Sequence, residues 1–137
     1  MDATVPVLII EDDDDIRRLL ELALPRTTMT ISSVGTGSEG VEACRAEDPA
    51  LVTVDIGLPD IDGIEVVQQL REFYHGTIVV ISARSAERDR ATAMAAGADA
   101  FLTKPFRPRE LRSAITELLE SSGHRSDVPG ADLLDGQ

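Results

Sequence analysis

Five short apolar segments alternate with five helical patterns, and this alternation constrains the fold more than any other feature of the chain. The apolar segments predict β-strands over residues 5–10, 29–34, 51–54, 77–82 and 99–103. Apolar residues at helical spacing predict helices over residues 13–24, 39–46, 63–73, 87–96 and 108–120. Strict alternation with short connections indicates an α/β fold: a doubly wound, five-stranded parallel sheet with helices on both faces.

Local signals set the predicted boundaries of these elements. Ser38 is the predicted N-cap of the second helix, Asp62 caps the third, and Gly97 ends the fourth. We expect residues 1–120 to form one domain. The helical period is lost over residues 121–137, which are predicted to be a flexible tail or the start of an interdomain linker.

The composition argues against several classes of function. The chain has 25 acidic and 13 basic residues, a formal net charge of -12, so direct contact with nucleic acid is not expected. No apolar run approaches the ~20 residues of a membrane span, and the N-terminus has no signal-peptide pattern. A single cysteine, Cys44, excludes an intramolecular disulfide and fits a reducing compartment. We therefore expect a cytoplasmic domain without membrane contact.

Charged and polar side chains stand at the ends of four predicted strands. Glu11 and Asp12 follow the first strand, Asp55 follows the third, Ser82 ends the fourth and Lys104 follows the fifth. The carboxyl ends of parallel strands meet at one edge of the sheet, where open α/β sheets bind ligands. If the first, third and fifth strands are neighbours in the middle of the sheet, these groups share one cleft.

Three carboxylates in one cleft would raise each other's pKa, and a divalent cation removes that conflict. Mg²⁺ suits the position because it takes one or two carboxylates and completes its shell with water or phosphate oxygens. Asp12 and Asp55 are the predicted direct ligands, and Glu11 is predicted to act through water. The backbone carbonyl of Gly57 is a further predicted ligand.

A carboxylate can attack phosphorus when a metal ion and a cation neutralise the incoming charge. Asp55 is the predicted phosphoacceptor, with Lys104 and the Ser82 hydroxyl binding the phosphate oxygens. The chain lacks a glycine-rich loop of the G-x-x-x-x-G-K-[ST] type, so the predicted donor is a phosphoryl group on another protein. Each residue alone also fits an ordinary role, as a helix cap, a surface charge or a structural hydroxyl. Their shared position at strand ends favours the functional interpretation.

Four motifs carry a resemblance to a known family: LIIED at 8–12, DIGLPDIDG at 55–63, VISA at 80–83 and GADAFLTKPF at 97–106. With them, the chain resembles the receiver domain of bacterial two-component response regulators over about residues 5–120. The resemblance implies a flavodoxin-like sheet of strand order 2-1-3-4-5 and a sensor histidine kinase as phosphoryl donor. It implies Asp55 as phosphoacceptor, Mg²⁺ held by Asp12, Asp55 and the Gly57 carbonyl, and a cis bond before Pro105 as a structural feature.

The resemblance also implies a conformational switch. Phosphate on Asp55 would draw in the Ser82 hydroxyl, and Phe101 would turn into the vacated space. The surface formed by the fourth helix, fifth strand and fifth helix would then change and select a partner.

The same surface could form a homodimer. In the winged-helix DNA-binding subfamily, a charge pair occupies the positions that are Ala100 and Ala114 in this chain. Arg90 and Glu110 could supply one remaining pair of that kind, so dimerisation in this manner stays open, as does a role in transcription regulation.

Three alternatives belong to other classes. A phosphorylation-independent interaction module with this fold would be favoured by loss of an acidic residue, the phosphoacceptor or the lysine, and none is lost. A flavodoxin-like redox protein needs a hydroxyl- and glycine-rich loop where residues 11–15 are acidic. A D-x-D-x-[TV] phosphatase needs a second aspartate where Gly57 stands. We therefore expect a domain that is not an enzyme toward other substrates and catalyses only its own phosphotransfer and autodephosphorylation.

Overall fold

The computed structural model describes residues 4–83 and 87–121, and these contain five strands and five helices in the predicted alternation. In chain order they are β1 (Val5–Ile10), α1 (Asp14–Ala23), β2 (Met29–Val34), α2 (Gly37–Glu47), β3 (Leu51–Asp55), α3 (Gly63–Arg71), β4 (Thr77–Ser82), α4 (Glu87–Ala96), β5 (Ala100–Thr103) and α5 (Pro108–Ser121). All strand pairs are parallel, and the order across the sheet is β2-β1-β3-β4-β5. The predicted doubly wound sheet is confirmed.

β4, and not β5, is the neighbour of β3. The strand order 2-1-3-4-5 that the family resemblance implies is confirmed, whereas the premise that the first, third and fifth strands are neighbours does not hold. Burial explains the arrangement: every residue of β4 is buried, as a central strand covered on both faces requires, whereas β5 is partly exposed at the sheet edge.

The second helix begins earlier than predicted. Its N-cap is Thr36, whose Oγ1 accepts a hydrogen bond from the Glu39 amide at 3.1 Å, so the prediction of Ser38 as the cap is wrong. Asp62 caps α3 as predicted, accepting from the Ile64 amide at 2.8 Å. The remaining boundaries agree with the predictions to within two residues, which is the usual uncertainty of helix and strand ends.

The sheet is covered by a hydrophobic layer on each face, because successive side chains of a strand point to opposite sides. In β1, Leu8 and Ile10 pack with residues of α2, α3 and α4, whereas Val7 and Ile9 pack with residues of α1 and α5. Both layers consist mainly of Val, Ile, Leu and Ala side chains. The central strands are thus fixed from both sides, and their carboxyl ends are held in register.

At the amino-terminal edge of the sheet, one side chain joins three segments of the chain. The Arg71 guanidinium, at the end of α3, donates to the carbonyls of Gly97 at 2.9 Å, Tyr74 at 3.1 Å and Gly76 at 2.8 Å. It also pairs with the Asp99 carboxylate at 2.9 Å, which accepts the amide of Ile78 at the start of β4. This network ties α3 to the starts of β4 and β5.

Residues 122–137 lie outside the described part of the chain, so the tail or linker stays a prediction for them. In the described ranges, none of the helices combines the length and apolar character that crossing a membrane requires.

Candidate functional site

A cleft of about 620 Å³ opens at the carboxyl edge of the sheet. Its walls come from the segments that follow β1, β3, β4 and β5. The lining residues are Glu11, Asp12, Asp13, Asp55, Ile56, Gly57, Leu58, Pro59, Asp60, Ile61, Asp62, Ser82, Ala83 and Lys104. Six of these are carboxylates and one is a lysine, so the cleft is strongly acidic.

The three predicted acidic residues meet in this cleft. Ile10 of β1 pairs with Val54 of β3, and Glu11 and Asp55 are therefore the next residues along two adjacent strands. Glu11, Asp12 and Asp55 each offer a carboxylate oxygen, and these oxygens lie within 4.8 Å of one another. Glu11 is 1% and Asp55 is 6% exposed, whereas Asp12 is open to solvent. Solvent therefore reaches the site on the side of Asp12, whereas Glu11 and Asp55 form its buried side.

Lys104 reaches the same carboxylates from β5. Its Nζ lies 3.1 Å from Oε1 of Glu11 and 3.1 Å from Oδ1 of Asp55, and it hydrogen-bonds to Oε2 of Glu11 at 3.4 Å. The Lys104 amide donates to the Ser82 carbonyl at 2.8 Å, which anchors its backbone to β4. The Lys104–Pro105 peptide bond is cis, as the family resemblance implies.

Burial and mutual repulsion shift the protonation of the cleft. Burial, and then the Asp55 charge, raise the pKa of Glu11 above its ordinary value. Burial also raises the pKa of Asp55, although Lys104 opposes this shift. For Lys104, burial alone would lower the pKa, but the carboxylates of Asp55 and Glu11 outweigh it and raise the pKa. One lysine therefore does not compensate the charge of the carboxylates around it.

The donor set fits a hard divalent cation. Carboxylate oxygens are the ligands that Mg²⁺ and Ca²⁺ prefer, and three of them lie within 4.8 Å of one another here. The Lys104 ammonium lies 3.1 Å from Oε1 of Glu11 and 3.1 Å from Oδ1 of Asp55, which still leaves an excess of negative charge in the cleft. The acidic centre can therefore hold a metal ion.

The structure places the other predicted residues around this centre. Gly57 adjoins the acidic group, because a Cβ atom built on it would lie 3.8 Å from Oδ2 of Asp55. Ser82 is buried at the end of β4 and lines the cleft. Phe101 is 4% exposed and already packs in the hydrophobic layer below α4.

Arg90 contacts Phe101 and not Glu110. Its guanidinium carbon lies 5.3 Å from the centroid of the Phe101 ring, and Nη2 donates to the Phe101 carbonyl at 3.4 Å. Among the described residues, Arg90 and Glu110 form no ion pair inside the chain, and a pair between two copies stays a prediction.

Two residues of the β3–α3 loop have structural roles that the sequence analysis missed. The Asp60 carboxylate accepts hydrogen bonds from the amides of Gly37 and Ser38 at the start of α2. Gly63 allows α3 to start directly over the end of β3, because a Cβ atom there would lie 2.3 Å from the Asp55 carbonyl oxygen. The Asp-Gly pair at 62–63 is a sequence signal for the role of Gly63, whereas no local pattern signals the contact of Asp60 with α2.

Comparison with known proteins places the chain among signalling domains. A family model described as the response regulator receiver domain matches residues 7–116. The transcriptional regulatory protein SrrA of Staphylococcus aureus is 34% identical over 131 residues, covering 89% of this chain and 54% of SrrA. The chain thus spans about half the length of the curated relatives it matches.

Solved structures give the same result. A CheY-like response regulator receiver domain protein from Methanospirillum hungatei superimposes with a TM-score of 0.80 at 26% identity, covering 86% of this chain and 95% of that one. The BeF3-activated N-terminal receiver domain of RstA from Klebsiella pneumoniae gives 0.79 at 25% identity, with 85% and 99% covered. Both likenesses span the sheet and its helices.

Proposed function

Because the chain belongs to the family of response regulator receiver domains, we propose that Asp55 is its phosphoacceptor, loaded by a sensor histidine kinase. The observation that carries this assignment is the convergence at Asp55. Its buried carboxylate ends a central strand, lies within 4.8 Å of two further carboxylates and is 3.1 Å from the Lys104 ammonium.

Phosphoryl transfer asks mainly for positioning and for compensation of charge. A carboxylate oxygen of Asp55 forms a bond to phosphorus as the phosphorus–nitrogen bond to a kinase histidine breaks. The electron pair of the broken bond stays on the imidazole nitrogen, which takes up a proton from water. Lys104 then pairs with an oxygen of the transferred group, and the Ser82 hydroxyl donates to another.

The proposed metal is Mg²⁺, with Asp12 and Asp55 as direct ligands, Glu11 acting through water and the Gly57 carbonyl as a further ligand. The three converging carboxylates and the excess of carboxylates over lysine in the cleft support this assignment. When bound, the ion neutralises charge that would otherwise repel an incoming phosphoryl group. Residues of this chain supply the orientation.

The switch is proposed to use Ser82 and Phe101. In the structure Phe101 is buried beneath the Arg90 guanidinium, so its packing and that contact would respond to a shift of the Ser82 hydroxyl toward phosphate. The responding surface is formed by α4, β5 and α5, which we propose as the partner-binding or homodimer face. Pro105 is proposed as a structural residue of the segment between Lys104 in the cleft and α5.

We assign no other catalysis to the domain than its own phosphorylation and autodephosphorylation. Residues 1–120 form the proposed functional unit, and 121–137 the proposed linker toward an output, because SrrA extends well beyond the matched region. We also propose a cytoplasmic setting without direct nucleic-acid contact, and the net charge of -12 supports the second point.

The test is labelling with acetyl phosphate or phosphoramidate in the presence of Mg²⁺, followed by intact-mass spectrometry. The wild-type chain should gain one phosphoryl group, and Asp55→Asn should gain none. Asp48→Asn is the matched control, because Asp48 is exposed at the end of α2 in a left-handed conformation that asparagine tolerates. Labelling that persists in Asp55→Asn would overturn the assignment. A wild-type chain that stays unlabelled would favour the phosphorylation-independent module.

A further inference from the structure

The loop between β3 and α3 is tied to the start of α2 by one carboxylate. Asp60 lies five residues beyond Asp55, and its Oδ1 accepts the Gly37 amide at 2.7 Å while its Oδ2 accepts the Ser38 amide at 2.9 Å. The partners are 23 and 22 residues apart in sequence, so the contact joins two separate βα units of the fold. Hydrogen bonds from amides to an ionised carboxylate are short and strong.

Asp60 and Thr36 divide the capping of α2 between them. The first amides of a helix have no partner inside the helix and need an outside acceptor. Thr36 accepts the Glu39 amide, and Asp60 accepts the two amides before it. These hydrogen bonds hold the pKa of Asp60 far below its ordinary value, so the carboxylate stays ionised.

Side-chain packing reinforces the same junction. A Cβ atom built on Gly37 would lie 2.9 Å from Cγ1 of Ile61 and 2.9 Å from Cγ2 of Val66, closer than packed carbon atoms approach. The glycine therefore lets the residue after Asp60 sit directly against the helix start. The far end of the loop is fixed separately, because the Gly63 amide donates to the Ile56 carbonyl at 2.9 Å.

We infer that Asp60 is a positioning residue for the phosphorylation site, acting by holding the β3–α3 loop against α2. Residues 56–62 of this loop form one wall of the acidic cleft and include Gly57, which adjoins Asp55. Without the Asp60 bonds, this wall keeps only its side-chain packing against α2, and the Gly57 backbone is held less firmly beside Asp55. Asp60 itself touches neither the phosphoryl group nor its acceptor. The inference rests on the proposed function for its consequence, but its geometry is independent of it.

The experiment compares Asp60→Ala with Thr36→Ala. Both remove capping bonds at the start of α2, but only the first releases the loop, so they separate helix stability from loop position. Mg²⁺ affinity is measured by isothermal titration calorimetry, and amide exchange at residues 37 and 38 by NMR. We expect Asp60→Ala to weaken Mg²⁺ binding about tenfold, the lower range seen when residues behind metal ligands are removed. Thr36→Ala should change the affinity less than about twofold, while both variants lower the Tm.

Asp60→Asn provides a graded variant, because it keeps one of the two accepting oxygens and replaces the other with an NH2 group that cannot accept. An intermediate Mg²⁺ affinity and faster exchange at one of the two amides would support the inference. Equal Mg²⁺ affinity in wild type and Asp60→Ala, or an equal loss in Thr36→Ala, would overturn it. These readouts need no phosphorylation, so weaker Mg²⁺ binding in Asp60→Ala together with an unlabelled wild-type chain would refute the proposed function and leave the positioning role intact.

Discussion

Replacing Glu11 with glutamine should stabilise the metal-free protein, although it removes a buried group from the centre of the site. The substitution is nearly isosteric and keeps an acceptor for the Asp13 amide, which donates to Oε2 of Glu11 at 3.2 Å. The substitution removes one negative charge from a cluster of three carboxylates, two of which, Glu11 and Asp55, share the Lys104 ammonium.

The distances give the size of the effect. At an effective dielectric constant of about 20, two carboxylates 4.8 Å apart repel by about 3.5 kcal/mol, and an ammonium 3.1 Å away attracts by about 5 kcal/mol. Asp12 is exposed and its charge is screened by solvent, so the repulsion that acts on Glu11 at full strength is that of Asp55. The Lys104 attraction offsets this repulsion, and the cost of burying the carboxylate makes the charge of Glu11 unfavourable overall. We expect Glu11→Gln to stabilise the metal-free protein by about 1–2 kcal/mol and to raise its Tm by about 5 °C.

Mg²⁺ should reduce or reverse the difference in Tm between Glu11→Gln and wild type. A cation that binds only the folded state at about ten times its dissociation constant stabilises it by about 1.4 kcal/mol. The wild-type chain should gain this increment and Glu11→Gln should gain less, so the difference in Tm shrinks or reverses. Thermal unfolding followed by circular dichroism, with EDTA and then with millimolar Mg²⁺, measures both quantities. The chain has no tryptophan, which makes fluorescence a weaker probe.

Glu65→Gln is the matched control, since Glu65 is an exposed carboxylate on α3 and undergoes the same chemical change. Its Tm should differ little from that of wild type in either condition. A metal-free Glu11→Gln protein that melts below wild type, with the control unchanged, would show that the Lys104 contact outweighs the repulsions. The electrostatic reasoning for the acidic site would then be wrong.

Two further predictions concern pH and packing. Burial raises the pKa of Glu11 and Asp55 in the folded state, so binding a proton at these groups stabilises the fold. This contribution to the free energy of unfolding is fully present below the unfolded pKa of about 4 and is lost as the pH rises through the raised folded values. Lowering the pH from 8 to 5 without metal should therefore raise the Tm of wild type more than that of Glu11→Gln; equal slopes in calorimetry would contradict this. In α2, Gly40→Ala should lower the Tm by about 5 °C, because its Cβ would lie 2.3 Å from Cδ1 of Ile10 and overpacking costs about 1–3 kcal/mol. Gly35→Ala, with an ordinary 3.5 Å contact to Arg17, is the control, and a rise in the Tm of Gly40→Ala would show that Ile10 yields.

The sequence was sufficient for the sheet and for most of the acidic cleft, because both depend on short-range patterns. Apolar runs of the right length locate strands, and alternation with helices makes those strands parallel. Parallel strands bring their carboxyl ends to one edge, which is why Glu11, Asp55 and Lys104 could be grouped before the structure was known. The grouping did not need the neighbours of each strand to be right, and one of them was wrong: β4 separates β3 from β5.

The start of α2 shows where local patterns fail. Ser38 is a good capping residue, and Gly37 is a poor helix residue, so the sequence favoured a later start. The acceptors for the first amides come from Asp60, more than twenty residues away, and they allow the helix to begin at Gly37. The spacing of apolar residues cannot predict a hydrogen bond between such distant residues. The contact of Arg90 with Phe101 could not be predicted either, because it depends on how α4 packs on β5.

The Arg71 network lies at the end of the sheet away from the acidic cleft. Because one guanidinium hydrogen-bonds to three carbonyls and pairs with a carboxylate there, the starts of β4 and β5 are fixed, while their carboxyl ends lie at the cleft. We therefore expect β4 and β5 to move least at this fixed end and most at the cleft, where Ser82 and Lys104 stand. A charge added in the cleft would then shift the carboxyl ends of these strands while the Arg71 contacts keep their amino ends in place.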